Sequence, residues 1–239
     1  MIPAGIVASG FVLPATGGGS DYYNEVMADS PFAYFPLDDS GSPAVDATGD
    51  NTAVSGGSWP TFGQADLGDS GASADFDGST DGFYFNAGED IGGTSGEITV
   101  EALIYPHSIS GTHCFVSHDL DTGRFWQFRT NGNDAQVVQI GGSNYGGGTL
   151  ATNTVAHVAF TAVESGTVRV YVNGSEVTNG AENGDIFLAG NESDDYRYFI
   201  GRSNYSSSFF DGLMAGVALY DSALSVSRIL AHAEAAGVA

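Results

Sequence analysis

The sequence predicts an all-β protein: a two-sheet antiparallel sandwich of jelly-roll type, with an N-terminal arm and a short C-terminal helix. Three observations predict it. Short apolar segments of strand length recur between residues 32 and 220, each bounded by Gly, Asn or Asp. "TVRVYV" (167–172) alternates so that Val168, Val170 and Val172 share one face, and Asn173-Gly174 follows at once, the strongest short-range hairpin signal in the chain. The length of 239 residues, with 42% hydrophobic content spread along it, suits one well-buried β domain and excludes a disordered chain.

Residues 1–20 read as an apolar arm ending in a hinge at Gly17-Gly18-Gly19. Ile2, Ile6, Val7, Phe11, Val12 and Leu13 would not stay solvated, so the arm is expected to dock on a neighbouring molecule. It resembles a signal peptide only superficially, lacking a basic start and carrying Pro3 in its apolar stretch, and is expected to be retained. The remaining residues, 21–239, form the second unit. A helix is expected over 21–28, with Ser20 as N-cap and Pro31 beyond its end. Strands follow at 32–37, 83–86, 98–105, 114–118, 125–130, 135–140, 155–163, 167–172, 197–201 and 213–220. Ser225 can cap a final helix over 226–236, whose apolar stripe would be Ile229, Leu230 and Ala233.

Charge narrows the partners. Twenty-nine Asp and Glu face six Arg and no Lys, a formal net charge of −23. With no basic stripe to displace counterions, nucleic acid is excluded as a partner, and an anionic membrane surface is a poor one. No apolar run is long enough for a spanning helix, so no membrane insertion is expected. Such acidity suits a saline setting, where salt screens self-repulsion, and equally suits an ordinary acidic surface. Cys114 stands alone, so no intrachain disulfide forms.

Several segments carry a family pattern. "SPFAYFPLDDSGSPAVDATGD" (30–50), "ADFDGSTDGFYF" (74–85) and "EITVEALIYP" (97–106) resemble the opening strands of laminin G-like, concanavalin A-like jelly rolls. "HVAFTAVESGTVRVYVNGSEV" (157–177) and "YFIGRSNYSSSFFDGLMAGVALYDSALSVSRILAHA" (198–233) resemble their later strands and closing helix. The matches keep the family's order over residues 30–236. A short apolar arm ahead of one such domain also resembles tailed-phage virion proteins. That resemblance implies a structural role and carbohydrate contact, without any particular chemistry.

Glucanases of this fold place a Glu-x-Asp-x-(x)-Glu run on one strand, and this sequence has none. Glu97 and Glu101 share strand parity, but Glu101 belongs to the structural Val-Glu-Ala motif, so no enzyme is expected. Cys114 and His118 also share parity, with His113 opposite, which is too few ligands for zinc. No cofactor is required. Calcium is possible: Asp119 and Asp121 offer alternating carboxylates and Asn191–Asp195 a further acidic turn. The family resemblance implies a site beside the first and last strands at Asp38 or Asp39, though Ala215 and Gly216 stand where its usual acidic partner would be. The alternative is that these turns are merely solvated. "IGGSNYGGG" (140–148) and "IGRSNYSSS" (200–208) echo one another. In them Tyr145 and Tyr205 would be flat platforms for a sugar ring, with Asn144 and Asn204 as hydrogen-bonding partners; local packing is the alternative.

The expected function is a non-enzymatic virion structural protein of a tailed phage, a capsid decoration or tail-associated component. It would be anchored by residues 1–20 to other virion proteins and display a domain open to host or environmental glycans. A trimer would suit local threefold positions of a capsid, though nothing in the sequence fixes it. The alternative is a secreted, extracellular carbohydrate-binding lectin module, with a glucanase-like enzyme a distant third.

Overall fold

The computed structural model describes residues 21–239 apart from 69, 90, 93–94, 121–122, 140–143, 179–182, 185–196 and 205–207, and for 119–120, 123–125, 136–139 and 183–184 it describes the backbone alone. The described chain opens with α1 (Asp21–Ala28), β1 (Ala33–Phe35), β2 (Ala53–Ser55), β3 (Thr61–Gln64), β4 (Ser73–Asp77) and β5 (Phe83–Asn86). It continues through β6 (Glu97–Pro106), β7 (Cys114–Leu120), β8 (Gly123–Asn131), β9 (Asp134–Gln139), β10 (Asn144–Thr149) and β11 (Ala156–Val163). It closes with β12 (Gly166–Val172), β13 (Ser175–Glu176), β14 (Asn183–Gly184), β15 (Arg197–Ile200), β16 (Asp211–Tyr220) and α2 (Val226–Ala235).

The strands make two antiparallel sheets. One, of nine strands, runs β13-β12-β11-β6-β16-β4-β3, with β1 on β16 and β14 on β12; the other, of seven, runs β10-β9-β8-β7-β15-β5-β2. Between them lies a core of aromatic and branched side chains, including Phe35, Phe76, Phe83, Phe85, Phe115, Trp126, Phe128 and Phe160. The expected two-sheet sandwich is therefore the observed fold. The hairpin read from Asn173-Gly174 joins β12 to β13, both turn residues having positive φ (50° and 73°), as a two-residue turn of primed type requires.

Two long strands depart from simple alternation. Nearly every residue of β6 and β11 is buried on both faces, because the outer face of the nine-stranded sheet is itself covered. The cover is α1 and α2, packed over a second apolar cluster that includes Tyr22, Val26, Tyr34, Leu103, Ala215, Ala218 and Tyr220. In α2 the buried stripe is Ile229, His232 and Ala233, whereas the expected Leu230 is 38% exposed. The i, i+3, i+4 spacing from Ile229 selects His232, a polar residue that apolar pattern-reading passes over. Ser225 caps α2 as expected, its side chain accepting from the Arg228 amide. In β16 the register shifts between Ala215 and Ala218, and Gly216 (φ 58°) there lets Tyr22 of α1 lie against the sheet. A Cβ at Gly216 would stand 2.4 Å from Tyr22 Cε1.

Candidate functional site

The arginines mark where the molecule keeps chemistry at its surface. Of the five whose side chains are described, Arg169 and Arg228 belong to the nine-stranded side, and both are bound to carboxylates. Arg169 Nη1 meets Glu176 at 2.7 Å, and Arg228 meets Glu25 and Asp29 at 2.7 Å each. Arg129, Arg197 and Arg202 stand on the seven-stranded side.

Register places a continuous row across that sheet: Val54, Tyr84, Phe199, Ser117, Gln127, Val138 and Asn144 are successive cross-strand backbone partners from β2 to β10. Their neighbours along each strand, such as Phe85, Tyr198 and Phe128, point into the core. Directly after β15 the chain begins its return to β16, and its residues 201–204 cross the middle of the face. It is pinned there by Ser117 Oγ donating to the Arg202 carbonyl (3.1 Å), Gln127 Nε2 donating to Ser203 Oγ (2.6 Å), and the Ser203 amide donating to the Ser208 carbonyl. Arg129 Nη1 donates to Gln127 Oε1 at 3.1 Å and so orients the amide that holds Ser203.

Beside this crossing lies a ladder of rings and guanidinium groups. Tyr84 and Phe199 lie 5.4 Å apart; Arg197 sits over both, at 5.5 and 5.6 Å, and Arg202 sits over Phe199 and Phe209, at 6.0 and 5.2 Å. Tyr84, Arg197, Arg202 and Phe209 are half-buried, keeping part of each side chain at the surface. Flat guanidinium groups over ring faces are held by the ring quadrupole and keep donors at their edges. Arg202 also donates to the Gly56 carbonyl, across a seat made by Gly56, Gly57 and Gly82, where a side chain would collide with it or with the Thr80 backbone.

The predicted sugar-contact residues divide. Asn144 is exposed at the start of β10, and Asn204 follows the pinned Ser203, so the two echoing loops are brought to one face. Two strand spacings, about 10 Å, separate Asn144 from Gln127. Tyr145 is no platform: it is 2% exposed and belongs to the core. "NYGGGT" is strand β10 rather than a loop, and alternation from the exposed Asn144 turns Tyr145 inward. Its glycines admit a close neighbour, since a Cβ at Gly148 would stand 2.7 Å from Val172 and Val177. Tyr205 lies outside the described residues, as do Asp121, Asn191–Asp195 and the docking residues Ile2, Ile6, Val7, Phe11, Val12 and Leu13. The Asp119 backbone lies opposite that of Arg124 at the end of β7, and its side chain is outside the described atoms. Asp39 accepts from the Val45 amide at 3.3 Å. No group of three or more His, Cys, Asp or Glu is placed to hold a metal among the described residues.

Other motif residues serve the fold. Asp46 accepts the Tyr34, Thr48 and Asn51 amides, and Asp77 accepts those of Ser79, Thr80 and Asp81. Slight burial raises the Asp77 carboxyl, and these hydrogen bonds outweigh it, holding it well below the usual carboxylate range. Cys114 and His118 do not share a face. A bulge lets Phe115 and Val116 both enter the core, so Cys114 pairs opposite Arg129, while His118 stacks on Tyr198 at 4.4 Å. Glu97 accepts the Ala223 amide, and Glu101 is sealed beneath α1 and α2. On that side a groove of about 500 Å³ separates β12 from the start of α2, lined by Thr161, Thr167, Arg169, Tyr171 and Val226 among others.

A laminin G-type family model, described as the concanavalin A-like lectin/glucanases superfamily, matches residues 76–230. The chain belongs to this superfamily. No curated protein matches the sequence. Among solved structures, this superfamily member is similar to Trypanosoma rangeli sialidase (TM-score 0.62, 15% identity), covering 84% of this chain and 32% of the sialidase. It is similar to the binding domain of botulinum neurotoxin DC in complex with rat synaptotagmin II (0.65, 11%, 87% and 52%). It is also similar to a botulinum neurotoxin type C structure whose cell entry depends on two ganglioside molecules (0.63, 12%, 88% and 52%). The concanavalin A-like chain thus spans about a third of the sialidase and about half of each toxin chain. At these identities the likeness is one of fold. It lends no support to the tailed-phage setting expected from the sequence.

Proposed function

We propose that this concanavalin A-like domain is a non-enzymatic carbohydrate-binding module, and that it takes glycan on the outer face of the seven-stranded sheet. The observation that carries the reading is the ladder in which the half-buried Arg197, Tyr84, Arg202 and Phe209 stand around the buried ring of Phe199. Rings offer the apolar faces that a pyranose matches, while guanidinium and amide edges offer donors to its hydroxyls. The row from Tyr84 to Asn144 crosses five strand spacings, about 24 Å, a length suited to an oligosaccharide. The sialidase and the ganglioside-dependent toxin, both sugar-handling proteins, favour the same reading by analogy of fold.

Probing a glycan array with the full chain and with Tyr84→Ala, Arg197→Ala and Asn144→Ala tests it. Binding by the wild type and at least a tenfold weakening in the first two variants, with folding intact, is the expected result. Failure to bind any glycan, or binding untouched by the substitutions, would overturn the proposal. The finer reading sets this module on a tailed-phage virion, anchored through residues 1–20; an extracellular lectin is its alternative. Quantitative mass spectrometry of purified particles decides between them, with hundreds of copies expected for a capsid decoration, a handful for a tail component, and none for a secreted lectin.

A further inference from the structure

One buried carboxylate fastens both terminal helices to the sandwich. Glu101 stands in β6 with its side chain wholly buried. His157 Nε2, from β11, lies 2.8 Å from Oε2; His232 Nδ1, from α2, lies 3.0 Å from both oxygens; and the Tyr220 hydroxyl of β16 donates to Oε1. The other nitrogen of His232, Nε2, lies 3.0 Å from Asp29 Oδ2, just beyond α1, as an ion-pair contact without hydrogen-bond alignment. Asp29 is also met by Arg228 Nε, and Glu25 of α1 by Arg228 Nη2. His232 therefore faces a carboxylate with each ring nitrogen. An imidazolium has a proton for both; a neutral imidazole has one proton and would turn a lone pair on the other carboxylate.

We infer that His232 is a protonation-controlled fastener. As the imidazolium it bridges Glu101 to Asp29 and adds to the hold of Arg228 and the apolar packing on α1, and its deprotonation loosens α1 on the nine-stranded sheet.

The phenols facing it do not compete for this titration. Tyr22 of α1 packs edge-on against both histidines, and the Tyr34 hydroxyl of β1 is buried nearby. Burial first, and the Glu101 charge second, push the Tyr22, Tyr34 and Tyr220 phenols well above their ordinary value, so they stay neutral. Burial alone would raise the Glu101 carboxyl, but the His232 charge and the histidine hydrogen bonds hold it well below the carboxylate range. Burial alone would lower His232, yet Glu101 and then Asp29 outweigh both burial and the opposing Arg228, so it stands above the ordinary histidine value. The His232 contribution is thus full below the ordinary histidine value and lost as pH rises through its raised value. That of Glu101 is lost only in strong acid.

Amide hydrogen exchange of the full chain, corrected for the intrinsic rate at each pH, tests this alongside an NMR titration of the His232 ring. Because His232 keeps its Glu101 contact when α1 detaches, only the Asp29 part of its shift is linked to α1. Protection of α1 should therefore fall as pH rises toward the observed His232 midpoint, by at most about tenfold per pH unit, while β11 and β12 stay unchanged. In His232→Gln, α1 should show no such pH dependence; in Asp29→Asn, which keeps the Glu101 contact but removes the charge on the α1 side, the dependence should shrink. Protection of α1 that stays flat through the His232 titration, or an Asp29→Asn profile superimposable on the wild type, would overturn the inference.

Discussion

The two outer faces of this sandwich are made from strands of similar length and are finished in opposite ways. On the nine-stranded sheet the face is closed: two helices lay Tyr22, Val26, Ile229 and Ala233 against it, and the polar groups beneath them, Glu101, His157 and His232, meet one another out of water. On the seven-stranded sheet no described helix intervenes. A short segment anchored by Ser117 and Gln127 crosses the centre, and rings and guanidinium groups stand half-exposed beside it. Charge is buried where it fixes structure and left at the surface where it can meet a ligand.

This contrast can be broken by substitution. The largest effect is expected for Glu101→Ala, which strands two buried histidines and a tyrosine hydroxyl. Urea unfolding should show a loss of about 3–5 kcal/mol, the scale of a broken buried ion pair. Tyr84→Ala on the open face should cost about 1 kcal/mol or less beyond its lost ring contact while abolishing glycan binding. If the two variants lost equal stability, the division between a sealed and an open face would fail.

Gly216→Ala comes next. Its positive φ and the 2.4 Å approach of Tyr22 Cε1 to the new Cβ should cost about 1–3 kcal/mol. By calorimetry that is a fall in Tm of roughly 2–4 °C per kcal/mol for a chain of this size. Tyr22→Phe removes one hydrogen bond, the hydroxyl to the Gly216 carbonyl at 3.2 Å, and should cost about 1 kcal/mol in the same measurement. Smallest of all, raising sodium chloride from low ionic strength to about 0.15 M, where the Debye length is about 8 Å, should raise Tm slightly by screening self-repulsion. A fall in Tm would show that attractive surface pairs outweigh it.

The sequence made the sandwich legible through its alternation, its Asn-Gly hairpin and its family segments. The helix at 21–28 and most long strands fall where their patterns put them. What escaped did so for identifiable reasons. Strands β2, β3 and β13 are too short to show a period, and β10 is hidden by glycines that serve close packing against β12. The bulge at Phe115 inverted the face of Cys114 relative to His118, because a one-residue insertion cannot be seen in the spacing alone. His232 was missed as a buried residue since its partner, Glu101, lies more than a hundred positions away. The arginine and aromatic ladder was missed for the same reason: Tyr84, Arg197, Arg202 and Phe209 meet only once β5 and β15 are paired. The Ser-Asn-Tyr echo could be read within each segment, and of its residues Asn144 stands exposed while Tyr145 is turned into the core.

The most direct test of the account is an NMR titration of the full chain with a glycan selected on the array, mapping backbone shift changes onto the sheets. The account predicts changes concentrated at Tyr84, Arg197, Arg202 and Asn204, extending to Asn144. Changes centred on the groove between β12 and α2, or on the helical face, would contradict it.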